Sequence, residues 1–124
     1  LCREKGTAII ARVPFDEGSL TGTFTAQTVF DEADFRRQYF AGRLPEVLDR
    51  VDRIKALVRP ETASLPLAAL KFCLAPSEVS TVIPGMRRAA HVNENAKASD
   101  GIPLSKSLCD NLREHAWPRN FYGH

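Results

Sequence analysis

The sequence lacks a long hydrophobic run, and it has no excess of either charge. No apolar stretch approaches the ~20 residues that a membrane-spanning helix needs, and no signal-peptide pattern opens the chain. The 17 Lys and Arg residues face 15 Asp and Glu residues, which gives a net charge of +2. No basic run is present, and this argues against nucleic acid as a partner. We therefore expect a cytoplasmic protein that binds neither membranes nor nucleic acid.

Cysteine and histidine are too scattered for a metal site or a disulfide framework. Cys2, Cys73 and Cys109 have no CxxC spacing, and such an odd set favours free thiols in a reducing compartment. No pair of histidines has metal-ligand spacing with a cysteine or a carboxylate. The sequence also has no serine elbow, Walker loop or GxGxxG fingerprint. We expect no bound metal.

The remaining composition is that of one globular domain or part of one, with 124 residues of which 44% are apolar. The first residue is Leu1. Cationic side chains in residues 3–5 precede Gly6, a pattern typical of the last turn of a helix. We therefore expect that residues preceding Leu1 belong to the same protein. The alternative is a short polar start that has lost its Met.

Two short apolar segments, residues 7–13 and 79–83, predict β-strands. The first is nearly continuous in apolar residues, which favours a parallel sheet buried on both faces. Each predicted strand is followed by helical sequence, and this order is typical of α/β proteins. Two strands alone would leave open edges and an apolar side formed by Ile9, Ile10, Val82 and Ile83. We expect either self-association or more strands from elsewhere to cover them.

Helical periodicity is clearest at residues 44–58, where apolar residues recur every three or four positions. The pairs Glu46–Arg50 and Asp49–Arg53 have the favourable i,i+4 order. Ser64 is placed to cap the next predicted helix. The other predicted helices cover residues 31–40, 64–75, 89–98 and 105–115.

A loop rich in Gly, Ser and Thr follows the first predicted strand, and a Pro-Gly turn with two arginines follows the second; loops at strand ends are common phosphate sites in α/β proteins. In the second loop, Arg87 and Arg88 precede a helix that carries Glu94 and Asn95. Two guanidinium groups beside a helix start can hold a phosphate, and the Glu and Asn side chains could read a nucleobase edge. The alternative is an ordinary connection with four solvated side chains.

Three segments in this order resemble the aldo-keto reductase family: IARVPFDEGSLTG at residues 10–22, VSTVIPGMRR at 79–88 and HVNEN at 91–95. Members of the family are (β/α)8 TIM barrels that reduce carbonyls with a nicotinamide cofactor, usually NADPH. The resemblance covers essentially the whole chain. It implies that residues 1–124 are the C-terminal part of a single barrel domain, with strands seven and eight. The family's catalytic Asp, Tyr, Lys and His come from the first half of the barrel, so no catalytic residue is expected here.

The resemblance also implies which residues bind the cofactor. The loop after the first strand would cover the pyrophosphate, and the loop after the second would hold the adenosine end. The implied contacts are Arg12, Pro14, Phe15, Gly18, Ser19, Leu20, Ile83, Pro84, Gly85, Met86, Arg87, Arg88, Glu94 and Asn95.

Two departures from the family pattern bear on the cofactor. Arg12 stands where many members have an aromatic residue stacked on the nicotinamide, and a guanidinium plane can also stack. Gly85 stands where many NADPH-specific members have Lys, a charge that Arg87 or Arg88 could replace. We therefore expect NADP(H), with NAD(H) as the alternative.

For the whole protein, the resemblance predicts carbonyl reduction by hydride transfer to a small carbonyl substrate. Residues 31–40 and the tail from Trp117 to Tyr122 are expected to contribute to substrate binding. The isolated chain is expected to be inactive because it lacks the catalytic set. The alternative function is a non-catalytic nucleotide-binding or regulatory module of the same fold.

Overall fold

The computed structural model describes residues 1–62 and 64–116. Its architecture is α/β, with a parallel two-stranded sheet of β1 (Ile9–Arg12) and β2 (Val79–Ile83). Short 3₁₀ segments cover Asp16–Thr21 and Lys97–Ser99. The α-helices of the described residues are α1 (Cys2–Lys5), α2 (Arg36–Tyr39), α3 (Leu44–Val58), α4 (Leu65–Leu74), α5 (Ala89–Ala96) and α6 (Lys106–Glu114).

The register of the sheet decides where the loops begin. Ile10 pairs with Thr81, Ala11 with Val82, and Arg12 with Ile83. Because the strands are parallel, the loop that follows β1 and the loop that follows β2 leave the sheet from the same edge.

The prediction of a strand buried on both faces is wrong. Ile10 is 62% exposed and Ile83 is 57% exposed, whereas Ile9 and Val82 are half-buried. Helix α4 packs against β2 and covers one face only. Side chains alternate along a strand, so Val82 and Ile83 point to opposite faces. The four residues expected to form one apolar side are therefore divided between the two faces.

The core lies among the helices, as the periodicity of residues 44–58 predicts. Val47, Val51 and Val58 on α3 are buried, and Val47 has no exposed surface. Leu104 and Leu108, just before and on α6, are buried in the same cluster. The two surface pairs predicted on α3 are also present, with Arg50 3.4 Å from Glu46 and Arg53 2.7 Å from Asp49.

Most helix boundaries follow the local signals. The Ser64 hydroxyl accepts a hydrogen bond from the Leu67 amide at 3.3 Å, which confirms the predicted cap of α4. Gly6 follows α1 with a left-handed φ of 60°, as expected for the end of a helix. The helix predicted at residues 31–40 is confined to the four residues of α2. Between residues 89 and 98, the predicted helix is α5 continued by a 3₁₀ turn.

The tail from Trp117 to Tyr122 lies outside the described residues. Cys2, Cys73 and Cys109 are free thiols. Within residues 1–62 and 64–116, we find no cluster of three or more His, Cys, Asp or Glu side chains that could hold a metal. No helix in the same ranges combines the length and the hydrophobicity required to cross a membrane.

Candidate functional site

The candidate site lies at the edge where both strands end. Arg12 and Ile83 are the last paired residues, so Pro14 and Pro84 begin their loops close together. Helix α4 packs against the 3₁₀ segment of the first loop and against α5, which follows the second loop. Helix α4 therefore contacts both the first predicted cofactor loop and the helix predicted to bind adenine.

The loop after β1 has a strained backbone. Val13, Asp16 and Glu17 have φ values of 54°, 50° and 54°, in the left-handed region that side-chain-bearing residues rarely adopt. Val13 is β-branched and precedes a proline, so its conformation is doubly disfavoured. Each such residue costs roughly 1–3 kcal/mol and persists only where its surroundings hold it. Strain of this kind is typical of ligand-binding loops.

Hydrogen bonds inside the loop oppose this strain. The Ser19 hydroxyl donates to Asp16 Oδ2 at 2.6 Å, and Ser19 is only 1% exposed. The Thr21 hydroxyl donates to the Gly18 carbonyl at 2.6 Å. Because the Ser19 hydroxyl is already donated inward, this residue shapes the loop, and its role at a cofactor stays a prediction. Asp16 is a structural member of the loop that the sequence analysis missed, although its three-residue spacing from Ser19 is a recognisable signal.

The other candidates in the first loop differ in exposure. Pro14 is buried, and Phe15, Gly18 and Leu20 are half-buried. Arg12 is exposed at the end of β1. These positions leave the loop anchored on one side and open on the other.

The loop after β2 presents two cations. Arg87 and Arg88 are exposed, as are Gly85 and Met86, whereas Pro84 is half-buried. Arg88 is the N-cap residue of α5, with an extended backbone. A pair of guanidinium groups next to a helix start is a chemically suitable site for a phosphate.

The two predicted adenine contacts on α5 have different environments. The Glu94 carboxylate pairs with Lys97 at 2.6 Å on the surface. The Asn95 side-chain nitrogen Nδ2 is buried without a hydrogen-bond partner in the described part of the chain. A buried amide donor without a partner costs about 1–3 kcal/mol, so Asn95 is suited to a hydrogen-bond acceptor that a ligand would bring.

A charged and aromatic cluster beside the first loop was not predicted. Arg36 Nε donates to both carboxylate oxygens of Asp34, at 2.9 and 3.0 Å. The same guanidinium lies 5.9 Å from the ring centre of Phe24 and 5.3 Å from that of Phe30. The close spacing of Asp34 and Arg36 is visible in the sequence as Asp-Phe-Arg. Only the fold brings Phe24 and Phe30 to the Arg36 guanidinium.

Electrostatics link this cluster to both loops. The hydrogen bonds from Arg36 lower the pKa of Asp34 to about 2, and the charge of Arg87 in the second loop contributes to the same shift. The pKa of Arg36 is raised, chiefly by Asp34 and to a smaller degree by Glu17 in the first loop. Charged residues of both candidate loops therefore influence the ionisation of Asp34 and Arg36.

A surface cleft of about 510 Å³ lies beside the cluster. Four of its nine lining residues belong to residues 31–40, the segment expected to contribute to substrate binding. The lining residues are Thr28, Val29, Phe30, Asp31, Glu32, Arg37, Phe40, Gly42 and Leu44.

Comparison with known proteins shows which family this sequence matches. The sequence profile of the Aldo/keto reductase family matches residues 1–116. The chain is 37% identical over 97 residues to D-threo-aldose 1-dehydrogenase from Pseudomonas sp, covering 77% of this chain and 27% of that protein. It is 29% identical over 116 residues to the Schizosaccharomyces pombe aldo-keto reductase yakc [NADP(+)], covering 91% and 34%.

A third relative carries a different cofactor in its name. The chain is 28% identical over 117 residues to the NADH-specific methylglyoxal reductase of Escherichia coli, covering 94% of this chain and 36% of that protein. The chain thus spans about a third of the length of the curated relatives it matches.

Proposed function

This chain belongs to the aldo/keto reductase family, and on that basis we propose that residues 1–124 form the cofactor-binding C-terminal part of a (β/α)8 barrel. The family is one of oxidoreductases, and its fold is a barrel of parallel strands and helices. In this proposal β1 and β2 are the last two strands of the barrel. The reaction is the reduction of a small carbonyl compound with NADP(H).

One observation carries the proposal: the pairing of Arg12 with Ile83, which makes both candidate loops leave the same edge of the sheet. In barrels of this kind, ligands bind at the carboxyl ends of the strands. A strained, internally bonded loop and a cationic loop beside each other suit an elongated anion such as a dinucleotide.

The residues present fit such a cofactor. The first loop, with Pro14, Phe15, Gly18, Ser19 and Leu20, would cover the pyrophosphate. The Gly18 and Leu20 amides already donate to the Phe15 carbonyl, so the loop would present a preformed surface to the cofactor at little ordering cost. Arg12, exposed at the strand end, would stack on the nicotinamide. When bound, the cofactor supplies the hydride for the carbonyl carbon.

The second loop would hold the adenosine end. The backbone of Ile83, Pro84, Gly85 and Met86 would line it, and Arg87 and Arg88 would bind the 2′-phosphate that distinguishes NADP(H) from NAD(H). On α5, the unpartnered Asn95 Nδ2 would donate to an acceptor nitrogen of adenine. The Glu94 carboxylate would release its surface ion pair with Lys97 and accept a hydrogen bond from the exocyclic amine of adenine.

The catalytic Asp, Tyr, Lys and His of the family are proposed to lie outside this chain. Without them no group here would donate a proton to the developing alkoxide, a step worth roughly 10²–10⁴ in rate. Residues 31–40, which contribute to the cleft beside Phe40, are proposed to form part of the carbonyl site.

Cofactor binding and turnover test the proposal separately. We expect isothermal titration of the 124-residue chain with NADPH to show binding, and NADPH oxidation with a panel of aldehydes to stay at background. Absence of binding by a folded, dispersed sample would contradict the cofactor assignment. Steady turnover by the isolated chain would contradict the placement of the catalytic set.

The same assays on the protein encoded by the full reading frame separate the enzyme from the non-catalytic alternative. Reduction of an aldehyde supports the reductase. NADPH binding without turnover across the panel supports a nucleotide-binding or regulatory module.

A further inference from the structure

Arg36 is held on three sides at the start of α2. Asp34 accepts hydrogen bonds from its Nε atom and from its backbone amide, the latter at 3.0 Å. The rings of Phe24 and Phe30 lie against the guanidinium. These contacts restrict a long side chain to one conformation, which gives it a defined position relative to its neighbours.

That position is against the strained loop. A Cβ atom placed on Gly18 would lie 3.6 Å from Arg36 Nη1 and 3.1 Å from Phe24 Cζ. Gly18 itself has a φ of 100°, and it follows directly after Asp16 and Glu17 with their positive φ values. The guanidinium and the Phe24 ring therefore pack on the part of the loop that is least able to hold its own conformation.

Asp34 is also under the electrostatic influence of the second loop. The charge of Arg87 acts on the Asp34 carboxylate, and Glu17 acts on Arg36. Charges of both candidate loops thus act on this acid–base pair.

We propose that Asp34 and Arg36 are positioning residues that hold residues 13–22 in the conformation required to bind the cofactor's pyrophosphate. This role rests on the proposed function, because it assigns the loop to that ligand. Neither side chain is proposed to touch the reacting atoms. Their effect is to order the loop before the cofactor arrives, so that less conformational entropy is lost on binding.

The test compares Arg36→Gln with Arg53→Gln in the protein encoded by the full reading frame. Arg53 lies on the exposed face of α3 and pairs with Asp49 at 2.7 Å, so the control removes the same charge from an ion pair outside the cluster and the cleft. NADPH affinity is measured by titration. Hydrogen exchange is measured on peptides that cover residues 13–24, without and with saturating NADPH.

We expect Arg36→Gln to raise the Kd for NADPH by about tenfold, the cost of leaving roughly one loop residue to be ordered on binding. Exchange in residues 13–24 should be faster without cofactor and should return to the wild-type rate at saturation. Arg53→Gln should change neither quantity. Asp34→Asn should act in the same direction, and its combination with Arg36→Gln should add little, because the two residues work as one pair.

An unchanged Kd in Arg36→Gln, with NADPH still bound by the wild type, overturns the positioning role and leaves the proposed function intact. An equal effect of Arg53→Gln also overturns it. Failure of the wild type to bind NADPH removes both proposals. If Arg36→Gln does not fold, the Asp34→Asn variant decides by the same two measurements.

Discussion

Arg12 and Ile83 face each other as the last residue pair of the two parallel strands, and both side chains are exposed. On the same face, Ile10 lies two pairs back along β1 and is also exposed. At the ends of the strands, the cationic Arg12 thus lies beside an apolar surface formed by Ile10 and Ile83. No described residue covers this surface.

This surface predicts association of the isolated chain. Exposed apolar side chains and open strand edges both favour contact between copies. We expect light scattering after size-exclusion chromatography to show a mass above that of the monomer. The combined substitution of Ile10→Thr and Ile83→Thr should lower that mass by removing apolar surface.

Val29→Thr is the control for association. Val29 is 91% exposed but lies outside the sheet, so its substitution should leave the mass unchanged. A wild-type chain that is monomeric at the same concentrations would contradict the prediction.

Discrimination between the two cofactors is predicted to depend on Arg87 and Arg88. Replacing both with Ala should weaken NADPH binding by ~1.5–3 kcal/mol, the value of a charge-assisted hydrogen bond to phosphate. The affinity for NADH should change much less, because NADH has no 2′-phosphate. Titration of both cofactors measures the difference, with Arg53→Ala on the exposed face of α3 as control. Equal weakening for both cofactors would show that the 2′-phosphate is bound elsewhere.

A methyl group at Gly18 is predicted to be more damaging than one at Gly42. Both glycines have positive φ, 100° and 68°, but a Cβ on Gly42 meets no atom within 4 Å. Gly42→Ala should therefore cost about 1–2 kcal/mol from the left-handed backbone alone. Gly18→Ala should cost more, because Phe24 must also move. Urea denaturation compares the two free energies of unfolding, and a smaller loss for Gly18→Ala would contradict the packing of Arg36 and Phe24 on this loop.

The lowered pKa of Asp34 predicts that acid reduces the stability of the folded chain. Its pKa falls from 3.8 to about 2 in the folded chain, chiefly because of the hydrogen bonds from Arg36. A lowered pKa means that the folded state favours the charged form, so this stabilisation is present above about pH 4. It is lost as the pH falls toward 2.

The wild type should therefore be more stable than Asp34→Asn at pH 5 and above, and the difference should shrink steadily as the pH falls from about 4 to 2. Denaturant midpoints of both proteins across this range measure it. A difference that stays constant from pH 5 to pH 2 would show that the carboxylate charge contributes nothing to stability.

The helices and strands were largely predictable because their signals are local. The spacing of Val47, Val51 and Val58 defines a helix face within a few turns. The Ser64 cap depends on an amide three residues away. The family resemblance likewise rests on contiguous segments, so the sequence alone determined the fold class and the positions of both candidate loops.

Tertiary structure alone decided which faces and groups meet. Ile10 is apolar but exposed, since only α4 covers the sheet. Lys71, the lone charge on α4, hydrogen-bonds Asp100 at 2.8 and 2.9 Å, 29 residues along the chain. Arg36 meets Phe24 and the Gly18 loop only when the chain turns back on itself. Such contacts depend on how separate elements pack, and no periodicity or cap within one segment encodes them.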